Sequence, residues 1–367
     1  MLTTSFPAMI HGSGLRPPEE LTLSITPFCN LHCAHCWPEA GPEHTGAQVD
    51  VSSITHTVEQ WVAAGLKKIC LTGGEPLTHP DWRDIVEFCC QLTGLAVIRL
   101  QTNGTLLTRE AVDFLNRSEC ERLIFQVSLD GAEAVAHDRV RGHGSYNRTL
   151  RGLRLLAAAG LGARTTVAFT EMAHNFDQLP RLLEQLEAIG IARLVSGTLV
   201  RAGRAGTGGG LEMPTPDQYR RLIAAYQDDA DFRRRYRKMG NIACLEWLAG
   251  RFTATSPTGC TCMQTPYLTA DGNLYPCVLM PLARYAVKQA WRRPLRHVLE
   301  EATVLWAELP EIQRRRTQAL FAHCGGCPGQ RHCGGGCMGR AVSTTGDFMQ
   351  AEDRCALRRA VYSWPDA

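Results

Sequence analysis

The sequence predicts an α/β fold in which six βα units form an open, partial (β/α)6 TIM-like barrel, followed by a small cysteine-rich domain. First, residues 21–200 alternate short apolar or β-branched runs with amphipathic stretches, a pattern typical of βα units around a parallel sheet. Second, eight of the 16 cysteines lie between Cys260 and Cys355, where glycine and proline are also dense. Because ligands of such barrels bind at the carboxyl ends of the strands, we expect the functional site there.

The periodicity of the first half predicts both kinds of element. Strands are expected at 21–25, 68–72, 97–102, 123–128, 164–169 and 193–200. Helices are expected at 53–64, 82–92, 109–116, 146–159 and 176–189. A glycine-rich run at 201–210 predicts a flexible loop, and a charged helical stretch is expected at 216–236. The predicted organisation is an N-terminal extension (1–20), the barrel (21–205), a bridging helical region (206–255) and the cysteine-rich domain (256–367).

Composition narrows the class of protein. The chain has 367 residues, of which 44% are hydrophobic, and a net charge of +3, so neither nucleic acid nor a membrane surface is expected as a partner. No apolar run reaches the roughly 18 residues that a spanning helix needs. The first residues lack the basic and apolar pattern of a secretory signal. We therefore expect a cytoplasmic protein, in which clustered cysteines bind metal rather than form disulfides.

Three cysteines directly after the first predicted strand form a C-x3-C-x2-C pattern: Cys29, Cys33 and Cys36. Three thiolates on one tight loop can bind three irons of a cubane cluster and leave the fourth iron open to an outside ligand. A zinc site is the alternative, in which His32 or His35 would complete the four ligands of a closed site. The spacing alone leaves both open.

This triad resembles the signature of the radical S-adenosylmethionine (SAM) superfamily, with His35 at the aromatic position before the last cysteine. After the second predicted strand, Gly73, Gly74 and Glu75 resemble the GGE motif of that family. Two glycines allow a close backbone approach, and Glu75 offers an acceptor for an ammonium group. The motif is informative because it follows the triad at the end of the second strand.

Three further positions resemble SAM contacts of the family. Ser128 ends the fourth predicted strand, Asn103 ends the third, and Arg141 resembles the arginine that binds the SAM carboxylate. Each could instead be a turn or surface residue. The resemblance covers about residues 21–200, with its motifs in the family order. It implies that SAM chelates the open iron of a [4Fe–4S] cluster and is cleaved by one electron, and that the 5′-deoxyadenosyl radical takes hydrogen from an unactivated C–H bond.

The second cysteine array resembles the SPASM extension of this family and implies an iron–sulfur domain with two auxiliary [4Fe–4S] clusters. By this resemblance the nearer cluster would be bound by Cys262, Cys277 and Cys337, with Cys260, Cys244 or the substrate as the fourth ligand. The farther cluster would be bound by Cys324, Cys327, Cys333 and Cys355. The alternative is a zinc ribbon of Cys324, Cys327, Cys333 and Cys337, which would leave Cys262, Cys277 and Cys355 unused.

SPASM-bearing relatives mostly modify peptides or proteins, and some act on small metabolites. We therefore predict a radical SAM oxidoreductase that matures a ribosomally made peptide or protein. The alternative is an oxidase, dehydrogenase or epimerase of a small polar metabolite such as an aminoglycoside sugar. A third class, an iron–sulfur electron-transfer protein, would not need a triad with an open iron together with a GGE motif.

Details of the chain bear on the reaction and its partners. Val278 stands where sulfatase-maturating relatives have an aspartate base, which argues against formylglycine formation. Cys244 lies between the two predicted domains and is either a hydrogen-atom donor, as an epimerase would need, or a buried core thiol. Since only about 20 residues precede the first strand, there is no room there for a fused peptide-recognition domain, and a separate protein could supply peptide recognition. The resemblance also implies a flavodoxin or ferredoxin as the reductant.

Overall fold

The computed structural model describes residues 5, 6, 10, 13–208, 210–246, 248, 260 and 263–364. Its described strands form one sheet in the order β7-β6-β5-β4-β3-β2-β1-β8-β9. The strands are β1 Glu20–Ser24, β2 Lys68–Thr72, β3 Val97–Thr102, β4 Leu123–Ser128, β5 Thr165–Glu171, β6 Arg193–Thr198, β7 Gly240–Asn241, β8 Tyr267–Leu268 and β9 Leu274–Tyr275. From β1 to β7 each strand pairs in parallel with the next along the chain, which is the order of an open barrel.

Helices connect the strands and cover the outer face of the sheet. In the barrel they are α1 Val51–Ala63, α2 Trp82–Gln91, α3 Arg109–Arg117, α4 Ala134–Arg141, α5 Ser145–Ala158 and α6 Leu179–Ile189. Beyond β6 they are α7 Pro216–Asp228, α8 Ala230–Met239, α9 Ala243–Glu246, α10 Leu295–Trp306, α11 Leu309–His323, α12 Gln330–Cys333, α13 Met338–Thr345 and α14 Cys355–Tyr362. The predicted fold class, a partial barrel followed by a cysteine-rich region, is confirmed.

The two faces of the sheet differ in polarity. In β4, Leu123, Phe125 and Val127 are buried, while the alternate residues Gln126 and Ser128 are partly exposed. The same alternation runs through β3 and β5. Since successive side chains of a strand point to opposite faces, one face packs on the helices and the other presents polar groups to the barrel interior. The interior is therefore suited to bind a polar ligand.

Most predicted elements occur within one or two residues of their expected bounds, and three features differ. Helix α4 was not predicted, because four of its eight residues have charged or imidazole side chains and its apolar residues show little periodicity. The expected helix at 216–236 is two helices, divided at Asp229, whose side chain accepts from the amides of Asp231 and Phe232. The expected flexible loop at 201–210 contains an ordered 3-10 turn at Gly203–Ala205.

The cysteine-rich region is joined to the barrel through the sheet itself. Strand β8 pairs in parallel with β1, and β9 pairs with β8 in the antiparallel direction. The hairpin thus extends the barrel sheet at its β1 edge, next to the strand that leads into the first cysteine loop. Within the part of the chain that the structure describes, no helix combines the length and the apolar character needed to cross a membrane.

Candidate active site and cluster sites

A cavity of about 550 Å³ opens at the carboxyl ends of the barrel strands. It brings together most of the predicted SAM-site residues, since its wall includes Cys29, Cys33, His35, Cys36, Gly73, Gly74, Glu75, Asn103, Ser128 and Arg141. The rest of the wall comes from strand ends and from the cysteine-rich region, with Trp37, Gln101, Gln126, Thr170, Ser196, Thr198, Tyr267 and Val278 among its members. Residues far apart in sequence thus meet at the place where parallel barrels bind their ligands.

The cysteine triad is on the loop that follows β1. Cys29 and Cys33 are buried and Cys36 is partly exposed. Burial raises the pKa of the Cys29 thiol to about 12. Burial also raises the pKa of Cys33, an effect opposed by the Arg141 guanidinium. Thiols in this setting are protonated until metal binding displaces the protons, which is the usual coupling of metal binding to cysteine ionisation. Three thiols that line the wall of one open cavity fit a cluster with one free iron.

The GGE motif lies directly beneath this loop. A side chain on Gly74 would place its Cβ only 2.0 Å from the carbonyl oxygen of Phe28, so a residue larger than glycine would displace the backbone. The amides of Gly74 and Glu75 donate to the carbonyls of Thr26 and Phe28 at 2.8 and 2.7 Å. The end of β2 is therefore fixed against the segment that enters the cysteine triad.

Glu75 is fully buried at the cavity floor and accepts three hydrogen bonds. Its Oε1 accepts from Thr102 Oγ1 at 2.6 Å and from the amide of Leu77 at 3.2 Å, and its Oε2 accepts from the amide of Asn103 at 2.7 Å. Burial raises the pKa of this carboxyl to about 7, although these donors oppose the shift. A carboxylate has about four acceptor sites. One site on Oε2 thus remains for a cationic ligand group.

Asn103 connects the GGE motif to the triad. Its side-chain amide donates to Asn30 Oδ1 at 2.9 Å and lies 3.9 Å from the Cys29 sulfur. Its Oδ1 accepts from the amide and hydroxyl of Thr105. Together with the backbone bond to Glu75, these contacts use the side chain fully, so Asn103 holds the first cysteine in place.

Arg141 and Asp130 form a buried ion pair at the cavity wall. Arg141 Nε donates to Asp130 Oδ2 at 2.6 Å, and His35 Nε2 lies 3.3 Å from both Asp130 Oδ2 and Arg141 Nη2. Burial opposes ionisation of Asp130, but Arg141 and His35 hold the pKa of its carboxyl below the usual range. His35 Nδ1 is buried and has no hydrogen-bond partner among the described residues. The positive charge of Arg141 and the unpaired Nδ1 of His35 are therefore both part of the cavity wall. They are suited to bind a carboxylate and a polar ligand atom.

Glu171 is a buried carboxylate that the sequence analysis missed. It ends β5, where its Oε1 accepts from Ser196 Oγ at 2.5 Å and its Oε2 accepts from Thr198 Oγ1 and Tyr219 Oη at 2.9 and 2.6 Å. Among the described side chains none forms an ion pair with it, so hydroxyls alone satisfy its oxygens. The predicted strand stopped two residues short of Glu171. An acidic residue at a strand end is the signal that could have found it.

Cys244 packs behind this carboxylate rather than at the cavity. Its side chain is 2% exposed and is absent from the described cavity wall. Burial, together with the nearby charge of Glu171, raises the pKa of its thiol well above the usual range. Its hydrogen-donor role remains a prediction, and its surroundings are those of a core thiol.

The described cysteines of the C-terminal array form two groups. Cys324, Cys327, Cys333 and Cys355 line one small cavity together with Arg358. Cys337 lies near Cys260 and Cys277, whose thiolate charges would act on it. Cys262 lies outside the described residues. Each described cysteine is free of a disulfide.

This grouping disfavours the zinc ribbon. Cys337 is separated from the cavity that holds Cys324, Cys327 and Cys333, although it follows them closely in sequence. Thiols that bind different irons of a cubane need not converge on one point. The two groups therefore fit two auxiliary clusters better than one zinc ion.

Two buried charged residues order the segment between these groups. Arg316 is fully buried and donates to the carbonyls of Gly334, Gly335 and Gly336, the three residues between Cys333 and Cys337. Glu352 Oε2 accepts from the amide of Cys337 at 2.8 Å. Hydrogen bonds of this kind satisfy the backbone N–H and C=O groups of a loop that has no regular secondary structure.

Comparison with known proteins agrees with this geometry. Residues 23–186 match the sequence family described as the radical SAM superfamily. The chain is 27% identical to the AdoMet-dependent heme synthase of Methanosarcina barkeri over 93% of its own length and 97% of that protein. It is 34% identical to the mycofactocin maturase MftC of Mycobacterium ulcerans, over 48% of its own length and 47% of the maturase. It therefore spans about half of that second relative.

The fold is shared with the crystal structure of Streptococcus suis SuiB bound to S-adenosylmethionine. The TM-score is 0.71 at 16% identity, and the match covers 95% of this chain and 78% of SuiB. Residues 23–186 thus match the radical SAM superfamily in sequence, and the cavity at the strand ends brings the motifs of that match together. The cysteine-rich C-terminal region resembles the SPASM type. Proteins of this family bind a [4Fe–4S] cluster and SAM, and SPASM-type relatives bear auxiliary clusters.

Proposed function

We propose that this protein is a maturase that removes hydrogen from an unactivated C–H bond of a ribosomally made peptide or protein. The observation that carries the proposal is that the cysteine triad, the GGE motif and Arg141 share one cavity at the carboxyl ends of the strands. When bound, the reduced cluster supplies one electron to SAM, and the resulting 5′-deoxyadenosyl radical takes the hydrogen atom.

The chain's own residues would bind and orient SAM. Cys29, Cys33 and Cys36 would hold the cluster. The remaining acceptor site of Glu75 suits an N–H of the methionine amino group, and Arg141, already paired with Asp130, suits the carboxylate. Fixing both groups on rigid strand ends would orient SAM for cleavage, and the surrounding wall would limit access of water. Gly73, Ser128 and Asn103 complete the proposed SAM site.

The auxiliary sites would take part in the oxidation. Cys324, Cys327, Cys333 and Cys355 line one site, and Cys260 and Cys277 lie near Cys337 at the other. Loss of a hydrogen atom would leave one unpaired electron on the substrate, and the clusters held by these cysteines would supply an acceptor for it. A low-potential flavodoxin or ferredoxin would then supply electrons to the protein.

A peptide substrate is supported by the neutral wall of the cavity. Beyond the proposed SAM residues, the wall presents the amides of Gln101 and Gln126, the hydroxyls of Ser196 and Thr198, and the ring of Tyr267. Among its described residues Arg141 is the one cation. Such groups suit an uncharged peptide backbone better than a polycarboxylate. SuiB, which shares the fold, has been solved with its precursor peptide SuiA.

A second candidate, a heme precursor as substrate, is favoured by the extent of one similarity. The Methanosarcina barkeri heme synthase aligns with 93% of this chain, including the cysteine-rich region, whereas the mycofactocin maturase aligns with 48%. A porphyrin with propionate side chains would need cations beyond Arg141.

The two candidates are separated by one experiment. Protein purified without oxygen and reconstituted with iron and sulfide would receive dithionite and SAM, together with either synthetic peptides encoded beside the gene or an iron porphyrin bearing propionates. We expect the peptide to stimulate formation of 5′-deoxyadenosine and to change in mass, and the porphyrin to do neither. The reverse result would select the second candidate, and absence of 5′-deoxyadenosine in every reaction would reject both.

SAM binding should weaken as the pH falls below about 7. Burial raises the pKa of Glu75 to about 7, so below this pH the SAM-free protein holds a proton that must leave before the carboxylate can accept from the SAM amino group. Affinity should then fall by up to about tenfold for each pH unit, and Glu75→Gln should remove the part of this dependence that the carboxyl contributes while weakening binding. Calorimetric titration of SAM on either side of neutral pH measures both effects. An equal Kd at each pH would contradict the assignment of Glu75.

A further inference from the structure

We infer that Arg204 is a positioning residue for the SAM-cleaving cluster, because it holds the cysteine loop in shape and places a positive charge beside it. The inference rests on the proposed binding of the cluster by Cys29, Cys33 and Cys36. It concerns a segment whose composition predicted a flexible loop.

The backbone of this segment packs directly against the exit of the cysteine loop. Gly203 has a φ of 55°, in the left-handed region that favours glycine. A Cβ at this position would lie 2.3 Å from the carbonyl oxygen of Trp37, so the close approach requires glycine. The amide of Arg204 donates to the carbonyl of Cys36 at 3.2 Å. The segment is therefore fixed to the third cysteine.

The Arg204 side chain bridges two parts of the same loop. Its Nε donates to the carbonyl of Cys33 and its Nη2 to the carbonyl of Ala40, each at 2.8 Å. These two carbonyls belong to residues that precede and follow Cys36 in the sequence. A planar guanidinium can donate in both directions at once, whereas a lysine ammonium is a single point of charge on a flexible stem. Arg204 thereby fixes the second and third cysteines relative to each other.

The charge of Arg204 has no described carboxylate partner. The salt bridges of the described residues include none to Arg204, whereas Arg141 is paired with Asp130 at 2.6 Å. Three thiolates and their cluster carry net negative charge, and the reduced cluster carries one more. An unpaired cation beside the loop favours the reduced form, because net charge and hydrogen bonding near a cluster set its reduction potential.

Arg204 also connects the cluster loop to the substrate wall. The segment continues from β6, whose Ser196 and Thr198 line the cavity. From the other side, Arg340 donates to the carbonyls of Thr198 and Leu199 at 3.1 and 2.6 Å. Arg340 is on α13, which starts immediately after Cys337. One continuous set of contacts thus joins the SAM site, the substrate wall and an auxiliary site.

The test uses reconstituted full-length protein and compares Arg204→Gln and Arg204→Lys with Arg201→Gln, an exposed arginine in the same segment. Electron paramagnetic resonance (EPR) of each variant, with and without SAM, isolates the cluster whose signal changes on SAM addition. A redox titration then gives its midpoint potential, and iron counting gives its occupancy. Retention of the two auxiliary clusters, about eight irons, shows that a variant has folded.

We expect Arg204→Gln to shift the midpoint of the SAM-responsive cluster to a lower potential and to reduce its occupancy. Arg204→Lys should have a midpoint potential close to that of the unmodified protein, because the charge is kept, but an occupancy that is still reduced. Arg201→Gln should match the unmodified protein in both quantities. A SAM-responsive cluster in Arg204→Gln with unchanged midpoint and occupancy would overturn the inference alone. Absence of any SAM-responsive signal in the unmodified protein would instead reject the proposed function.

Discussion

Replacing Cys29, Cys33 and Cys36 together by alanine should lower the iron content from about twelve to about eight atoms per chain and abolish formation of 5′-deoxyadenosine. The three thiols line the cavity that also contains the GGE motif, and the auxiliary cysteines form separate groups. Loss of the triad should therefore remove one cluster and leave two. Iron and sulfide analysis, combined with chromatography of the SAM products, measures both outcomes.

The matched control for this variant is Cys90→Ala. Cys90 is partly exposed on α2, outside the described wall of the cavity. It should retain the full iron content and full SAM cleavage. If the triple variant kept about twelve irons, or still cleaved SAM, the triad could not be the cluster site.

Asp130→Ala should destabilise the protein by about 3–5 kcal/mol and weaken SAM binding, the second large effect that we expect. Asp130 is fully buried and accepts from Arg141 Nε at 2.6 Å and from the amide of Thr170 at 2.7 Å. Its removal leaves the Arg141 guanidinium buried without a countercharge, and a buried unpaired charge is costly. The same change frees Arg141 to leave the position proposed for the SAM carboxylate.

Denaturant unfolding of the metal-free protein and calorimetric SAM titration of the reconstituted protein separate these two effects. Asp217→Ala is the matched control, because Asp217 pairs with Arg220 on the exposed surface of α7, where an ion pair contributes at most about 1 kcal/mol. Equal unfolding midpoints for the two variants would contradict the role given to the buried pair.

The barrel was predictable because its strands and helices carry regular patterns. The structural bounds of β2, β3 and β4 are those that the sequence predicted, since each strand is an apolar or β-branched run ended by a turn. Helix α4 carries no such pattern, yet it supplies Arg141, which only the family resemblance indicated. The periodicity of apolar residues indicates which face of an element is buried against its neighbours. It therefore does not predict a short polar helix such as α4.

The features that the sequence did not predict depend on long-range contacts. Nothing near Glu171 in sequence indicates that Ser196, Thr198 and Tyr219 would converge on it. Likewise, the glycines around Arg204 suggested flexibility, whereas Gly203 serves to bring the segment against Trp37. Glycine permits both a mobile loop and a tight approach, and only the partner segment distinguishes them.

The grouping of the C-terminal cysteines also depends on long-range contacts that the sequence does not reveal. Spacing alone allowed Cys324, Cys327, Cys333 and Cys337 to form one zinc ribbon. The structure instead places Cys337 near Cys260 and Cys277, and Cys355 joins the other three. Three glycine carbonyls bound by Arg316 separate Cys333 from Cys337, a contact that no local pattern reveals.

The proposed chemistry requires three cysteines to leave one iron of a cluster open, so that the amino group of SAM can bind to it. Pulsed EPR of the reduced protein with SAM labelled with ¹⁵N at the methionine nitrogen detects this bond. We expect a ¹⁵N hyperfine coupling to the cluster, which disappears in the variant lacking Cys29, Cys33 and Cys36. A reduced cluster that shows no coupling to the labelled nitrogen would rule out an open iron that binds SAM.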